Sequence, residues 1–298
     1  MTVIVPVHNG AADLARCLDA LRAQDYPATS YDVVVVDNGS TENIGAVAST
    51  EPGVTLLTEH RPGSYAARNT GLASASGELL AFTDADCSPS RHWLSRAVAV
   101  LEGPPGADMV GGAVDLRFAT GAPRTAAELY ESIHAFPQQR YLEEQGWAVT
   151  ANMVTWRRVF DQVGLFDANL RSRGDAQWGQ RVAAAGLTQR FVPDAVVFHP
   201  ARTTWRELLT KSRRVVRGRI DADLAAGRRG RHFMGLAANQ ASMLVAGARA
   251  SVGRPELRST GDLCRYITAL AACRATGAAL MLAASVRRPP VTTPSKSA

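Results

Sequence analysis

Apolar positions fall into short runs divided by turns over the first 200 residues, and into long helical periods after that. Val3-Ile4-Val5-Pro6-Val7 predicts a strand that ends or lies open at Pro6, whose ring removes one ladder donor. The turn His8-Asn9-Gly10 follows, and Leu14, Leu18 and Leu21 then recur at helical spacing. Val33 to Val36 is a continuous β-branched run, as in a strand covered on both faces, and it ends in Asp37-Asn38-Gly39-Ser40. Val54 to Leu57 predicts another strand. Residues 64–77 predict a helix, with Ser64 as N-cap and Gly77 as stop. Leu79-Leu80-Ala81-Phe82 predicts a buried strand that runs straight into Asp84-Ala85-Asp86. Alternation of this kind implies a parallel sheet with right-handed crossovers.

Further along, Trp93, Leu94, Ala97, Val98 and Leu101 mark one side of a helix opened by Pro89-Ser90. Met109 to Val114 predicts a strand, and residues 126–144 a helix interrupted near Pro137. A short helix is expected around Val159-Phe160, and a longer one from Arg173-Gly174-Asp175 to Gly186. Phe191-Val192 and Val196-Val197-Phe198 read as two short strands flanking Pro193-Asp194. From Trp205 the period changes. Trp205, Leu208, Leu209, Val215 and Val216 make one face of a helix otherwise covered by arginines. Residues 233–248 and 262–286 predict Ala/Leu-rich helices. Arg265 and Arg274 argue against a membrane crossing by the last of these, because a central arginine costs at least ~2.5 kcal/mol. The reading is a helical hairpin that packs on the body or lies on a membrane. The expected division is a catalytic domain over 1–202, a basic helical region over 203–288 and a disordered tail over 289–298.

Charge sharpens that division. Residues 1–201 carry 15 Lys/Arg against 22 Asp/Glu, a net of −7; residues 202–298 carry 18 against 5, a net of +13. The basic segment could serve a nucleic acid, an anionic membrane surface or a phosphorylated substrate, or be only a solvated face. Cys17, Cys87, Cys264 and Cys273 are scattered without a C-x-x-C, which points to reduced residues rather than disulfides or a zinc site. No secretory signal is read, since the chain starts in a strand. The expectation is a cytoplasmic protein, associated with membrane from the cytoplasmic side where the basic region engages it.

Asp84 and Asp86 close a buried strand, where ligands gather in an open α/β sheet. Two acids there suit a hard divalent cation and the phosphates it carries, although such triplets also arise in solvated loops. No G-x-G-x-x-G follows the first strand, which disfavours a dinucleotide site.

Four segments then fall in one order: Val5-Pro6-Val7-His8-Asn9-Gly10, Val35-Val36-Asp37-Asn38-Gly39-Ser40, Ala67-Arg68-Asn69-Thr70-Gly71 and Phe82-Thr83-Asp84-Ala85-Asp86. Gly164-Leu165-Phe166-Asp167, Gly174-Asp175-Ala176-Gln177-Trp178, Ala185-Gly186 and Pro193-Asp194-Ala195-Val196-Val197-Phe198-His199 continue it. The ordered set resembles the family 2 glycosyltransferases, an inverting group, over about residues 2–202. The resemblance implies a GT-A fold, an α/β class with a Rossmann-like mixed sheet, here followed by a helical appendage. It implies a nucleoside-diphosphate sugar donor, held by Pro6, Val7, His8, Asn9, Asp37, Arg68, Asp84 and Ala85. It also implies Mn2+ or Mg2+ on Asp86 and His199, and Asp175 as the general base. An isolated histidine is more often structural, and Asp175 by residue type alone is a helix cap. Gly174 and Gln177 stand where the family commonly has acids. Trp147, Asn152, Gln177 and Trp178 are the acceptor candidates, with core packing the competing reading for the aromatic ones.

The expected partners are the donor, an acceptor of unidentified kind that is lipid-linked or anionic, an anionic membrane surface, and a second copy of the chain; no nucleic acid is expected. Two rival readings remain at this point. A sugar nucleotidyltransferase would carry a Gly-rich basic loop after the first strand, and Pro6 to Gly10 is not one. A non-catalytic membrane or nucleic-acid adaptor would work through residues 202–231 alone.

Overall fold

The computed structural model describes residues 1–286; the expected tail at 289–298 lies outside them. The chain divides into two compact units, Met1–Pro123 with Glu131–Ala201, and Arg124–Tyr130 with the chain from Arg202 onward.

The first unit is built on an eight-stranded sheet. Its elements in chain order are β1 (Thr2–Val7), α1 (Ala11–Arg22), β2 (Asp32–Asp37), α2 (Ile44–Ala48), β3 (Val54–Thr58), α3 (Ser64–Ser74), β4 (Leu79–Phe82), β5 (Ser88–Pro89), α4 (Trp93–Glu102) and β6 (Met109–Arg117). Then come α5 (Ala126–His134), whose start belongs to the second unit, α6 (Gln138–Gln145), β7 (Met153–Trp156), α7 (Arg157–Val163), α8 (Gly174–Ala184) and β8 (Gln189–Pro200). The strand order is β3-β2-β1-β4-β7-β6-β8-β5. β1 to β4 run parallel, as the alternation implies. β7 then pairs antiparallel with both β4 and β6, so the sheet is mixed.

Side-chain alternation sorts the core onto the two faces of the sheet. Val3, Val5, Val7, Val33 and Val35 pack with Leu14, Leu18, Trp93 and Leu94 of α1 and α4. Ile4, Leu80 and Phe82 turn the other way, toward Tyr65 and Leu72 of α3, Phe160 of α7 and Trp178 of α8. α3 lies so close to β1 that a Cβ on Gly71 would sit 2.6 Å from Ile4 Cγ2, which is why only glycine serves there.

Three expectations are corrected. α3 begins at Ser64, with Gly63 as its N-cap and no side-chain cap, and it ends at Ser74, before Gly77. β7 occupies 153–156, where no strand was expected. The two short strands around Pro193-Asp194 are one strand, β8, whose pairing with β6 shifts register between Gly112 and Val114. Proline is tolerated at such a bulge because no ladder donor is required there.

The second unit holds α9 (Trp205–Ala225), α10 (Arg231–Ala250) and α11 (Thr260–Ser285). α9 opens with a capping box in which Thr204 and Glu207 satisfy each other's backbone donors. Ile220, Phe233, Ala237, Met281 and Ala284 form one small core; Ala127, Leu208, Ala269 and Cys273 form another. At the α9–α10 joint Asp223 accepts from Arg228 at 2.8 Å and pairs with His232 at 3.1 Å. α11 is long and apolar enough to span a membrane by length and composition, and a third of its most apolar window is buried within the protein. Its arginines turn to partners inside the unit: Arg265 donates to the Arg124 carbonyl at 2.8 Å, and Arg274 to Gln240 at 3.4 Å.

Candidate active site

Register gathers the site. β1 and β2 pair from Thr2 with Asp32 to Val7 with Asp37, so both strands end flush. β4 pairs only as far as Ile4 with Phe82, and its continuation Thr83-Asp84 leaves the sheet at the same edge. The loops at these strand ends are tied together by side chains. His8 Nδ1 donates to the Asn38 carbonyl at 3.0 Å. Asn9 donates its backbone N–H to Ser40 Oγ at 2.7 Å, and its Oδ1 accepts from the Thr41 N–H at 2.9 Å. Asp37 Oδ1 accepts from the Ser40 N–H at 2.9 Å. Asn38 donates to the carbonyls of Glu59 and Arg61 and accepts from the Gly63 N–H. Pro6 and Val7 are buried beneath this rim, whereas His8 is exposed.

Arg68 projects from α3 and is buried at 3% exposure. It makes an ion pair with Asp84, whose side chain keeps 34% of its surface open. Among the described residues Arg68 Nε has no hydrogen-bond partner, and neither has the buried Thr83 hydroxyl beside this pair in sequence. Burying a guanidinium atom without a partner is costly, and the ion pair with Asp84 is what holds this arginine in place. Ala85 is buried and belongs to the core between the two acids.

Asp86 and His199 meet because β5 pairs antiparallel with β8, setting Ser88 opposite Phe198. Asp86 Oδ2 lies 3.6 Å from His199 Nε2. His199 Nδ1 is 2.8 Å from the Pro200 carbonyl, which can only accept. Nδ1 therefore donates to that carbonyl, and Nε2 is the nitrogen turned to Asp86, the orientation metal-ligating histidines adopt. The Phe136 ring, 4.8 Å away, holds the imidazole on one side. The sequence reading missed Cys87. Its Sγ lies 3.8 Å from Asp86 Oδ1, and one ligand atom from each of Asp86, Cys87 and His199 falls within 4.8 Å of the others. Burial pushes the Cys87 thiol well above its ordinary pKa, with Asp84 and Asp86 adding to the effect. A carboxylate beside an oriented imidazole suits Mn2+ better than Mg2+.

Asp175 is the second residue of α8, with Arg173 as the left-handed N-cap. It caps no further turn: Oδ1 accepts from the N–H of its own neighbour Ala176 at 2.8 Å and from the Tyr65 hydroxyl at 3.2 Å. Burial raises its pKa above the ordinary carboxylate value, opposed by the Ala176 N–H, the Arg68 charge and the Tyr65 hydroxyl. A carboxylate that holds a proton more firmly than a solvated one is the better proton acceptor. Asp84 and Arg68 both act on it electrostatically, so the base candidate and the donor-side pair share one site.

Of the acceptor candidates, Gln177 is exposed on α8. Asn152 and Trp178 are wholly enclosed, at 0% exposure. Asn152 donates to the carbonyls of Ala113 and Ala195 and accepts from Trp93 Nε1, filling the β6–β8 bulge. Trp178 stacks on Phe160 at 4.4 Å and donates to the Gly164 carbonyl. Both are corrected to supports of the site wall, since neither offers surface to an acceptor. Trp147 is buried and stacks on Tyr141 at 4.0 Å. Half-buried Tyr141, which sequence reasoning passed over, lies within electrostatic reach of Asp175 and Arg173.

A family model described as Glycosyl transferase family 2 matches residues 2–164, so Asp175 and His199 lie beyond the match. The chain is 40% identical over 225 residues to Glycosyltransferase AglE of Haloferax volcanii, covering 74% of this chain and 73% of that one. It is 29% identical over 232 residues to the pre-mycofactocin glycosyltransferase of Mycobacterium tuberculosis, covering 71% of this chain and 45% of that one. Its fold is similar to that of the mannosyltransferase PcManGT from Pyrobaculum calidifontis, solved in complex with GDP-Man and Mn2+. The TM-score is 0.58 at 23% identity, covering 91% of this chain and 85% of that one.

Proposed function

From its membership of glycosyl transferase family 2, to which this chain belongs, we propose that it is an inverting transferase working with a divalent cation and Asp175 as base. The fold is GT-A and the chain is a glycosyltransferase that uses a nucleotide-sugar donor. The observation that carries the finer reading is the separation of roles within one site. Asp84 is neutralised by Arg68, Asp86 faces an oriented imidazole, and Asp175 is held by hydrogen-bond donors with a raised pKa.

In this reading the loops of Pro6 to Asn9 and Asp37 bind the base of the nucleotide, and Asp84 with Arg68 meets the ribose. Asp86 and His199 would hold the cation, which supplies charge stabilisation to the departing diphosphate when bound. Asp175 removes the proton of the acceptor hydroxyl on the face opposite the leaving group. One base is enough for a single displacement with inversion, and no nucleophilic carboxylate is needed.

The test is a thermal-shift panel of UDP-, GDP- and dTDP-sugars with and without Mn2+, followed by NMR of the product anomer. A cognate donor at 100 times its Kd raises stability by about 2.7 kcal/mol. Cation-dependent stabilisation and an inverted anomeric centre are expected; a retained anomer would overturn the single-displacement reading.

The second unit favours a further reading. Arg206, Arg213, Arg214 and Arg217 of α9 are exposed, and so are Met234 and Val245 of α10 and Val252 in the turn after it. We place this surface against an anionic membrane on the cytoplasmic side, where a lipid-linked acceptor would be found. Each basic side chain near such a surface contributes about 1 kcal/mol. Flotation with phosphatidylglycerol vesicles should therefore be strong at low salt and weak at high salt; no binding at low salt would remove the membrane from the account.

A further inference from the structure

Gly174 opens α8 without a positive φ, so it is not glycine for conformational reasons. Glycine within a helix is less stable than alanine, so its presence at 174 needs another reason. The reason lies in space. A Cβ at 174 would stand 2.6 Å from Tyr65 Cε2 and 2.7 Å from its Cδ2 and Cζ. Tyr65 is buried, and its ring is fixed by Phe166 at 5.7 Å and by the Arg68 guanidinium 5.6 Å from its centroid. That ring can lie against the start of α8 only because residue 174 has no side chain. Placed there, its hydroxyl reaches Asp175 Oδ1 at 3.2 Å.

We propose that Tyr65 is a positioning residue for the general base, and that Gly174 is glycine to admit its ring. This rests on the reading of Asp175 as base and adds to it a residue from another element. The hydroxyl does two things. It fixes which carboxylate oxygen is occupied, leaving Oδ2 to receive the acceptor proton. It also stabilises the ionised carboxylate against the burial that raises its pKa. The titratable and charged groups facing Asp175 are Tyr65 and Arg68 from α3, Asp84 from the end of β4 and Tyr141 from α6, and Arg173, the N-cap of its own helix, acts on Tyr141. Of the groups on neighbouring elements, Tyr65 alone reaches its carboxylate by a hydrogen bond among the described contacts.

The experiment compares wild type, Tyr65→Phe, Gly174→Ala, the double variant and Asp175→Asn in the full chain. Tyr65→Phe keeps the ring and the fold, checked by an unchanged melting temperature. It should lower kcat by about tenfold, as loss of a hydrogen bond to a charged group does, with donor Kd unchanged. The acid limb of the kcat profile should move to higher pH, because the ionised form has lost a donor. Gly174→Ala displaces the ring and should lower kcat and move the limb the same way. The double variant should be little worse than either single one, since both remove the same contact. Wild-type kcat and pH profile in Tyr65→Phe, with Asp175→Asn inactive, would overturn the role of Tyr65 while leaving the base in place. Fully additive losses would overturn the link to Gly174. An active Asp175→Asn would instead show that the base reading itself had failed.

Discussion

The donor side and the base side of this site hold their carboxylates by opposite means. Asp84 is matched by a buried arginine and Asp86 by an imidazole, with 34% and 43% of their side chains open. Asp175 has no cation in contact among the described pairs and is held by one N–H and one hydroxyl. In the proposed mechanism the difference follows from the work. A group that binds a cation or a ribose hydroxyl works through its charge and its open surface, and both acids of the donor side keep open surface. A group that takes a proton needs a pKa high enough to want it, which burial supplies and a salt bridge would remove.

The largest break in this comparison is Asp86→Ala. Transfer and cation-dependent nucleotide binding should be abolished. The fold should survive, because residue 86 lies past the end of β4 and is exposed. Calorimetry with nucleotide in Mn2+ and in EDTA checks it; full activity in EDTA would remove the cation from the mechanism. A smaller effect sharpens the base side. Because the Asp175 pKa is raised, its ionised form disappears at a higher pH than that of a solvated carboxylate. The acid limb of the wild-type kcat profile should therefore lie above pH ~4, the reference aspartate value, with the rate rising as pH climbs through the limb. The sign for stability is the reverse. Stability from this group is present below the unfolded pKa and is lost as pH rises through the folded one.

These two sides were not equally legible in the sequence. β1, β2 and β4 are continuous apolar runs ending in turns, so the donor edge and its acids could be read directly. His199 could be assigned to the cation only by resemblance, because what brings it to Asp86 is the β5–β8 pairing, and β5 is two residues long. A proline in a strand reads as a break, so residues 191–198 read as two strands, while in the fold Pro193 stands in a bulge of β8. That bulge exposes the carbonyls that Asn152 satisfies, so a polar residue that read as an acceptor contact is core. Tyr65 carried no signal at all. An aromatic residue in the first turn of a helix looks like packing, and only the missing side chain at 174 and the reach of its hydroxyl show what it touches.

Asp175→Asn tests the division of labour most directly. Asparagine keeps the size and the acceptor oxygen for the Ala176 N–H but removes the base. Donor affinity by calorimetry and transfer rate by product assay are measured on one preparation. Donor binding should match wild type while transfer falls by a factor on the order of 10² to 10⁴. Transfer at the wild-type rate would contradict the account, because the proton would then leave by another group.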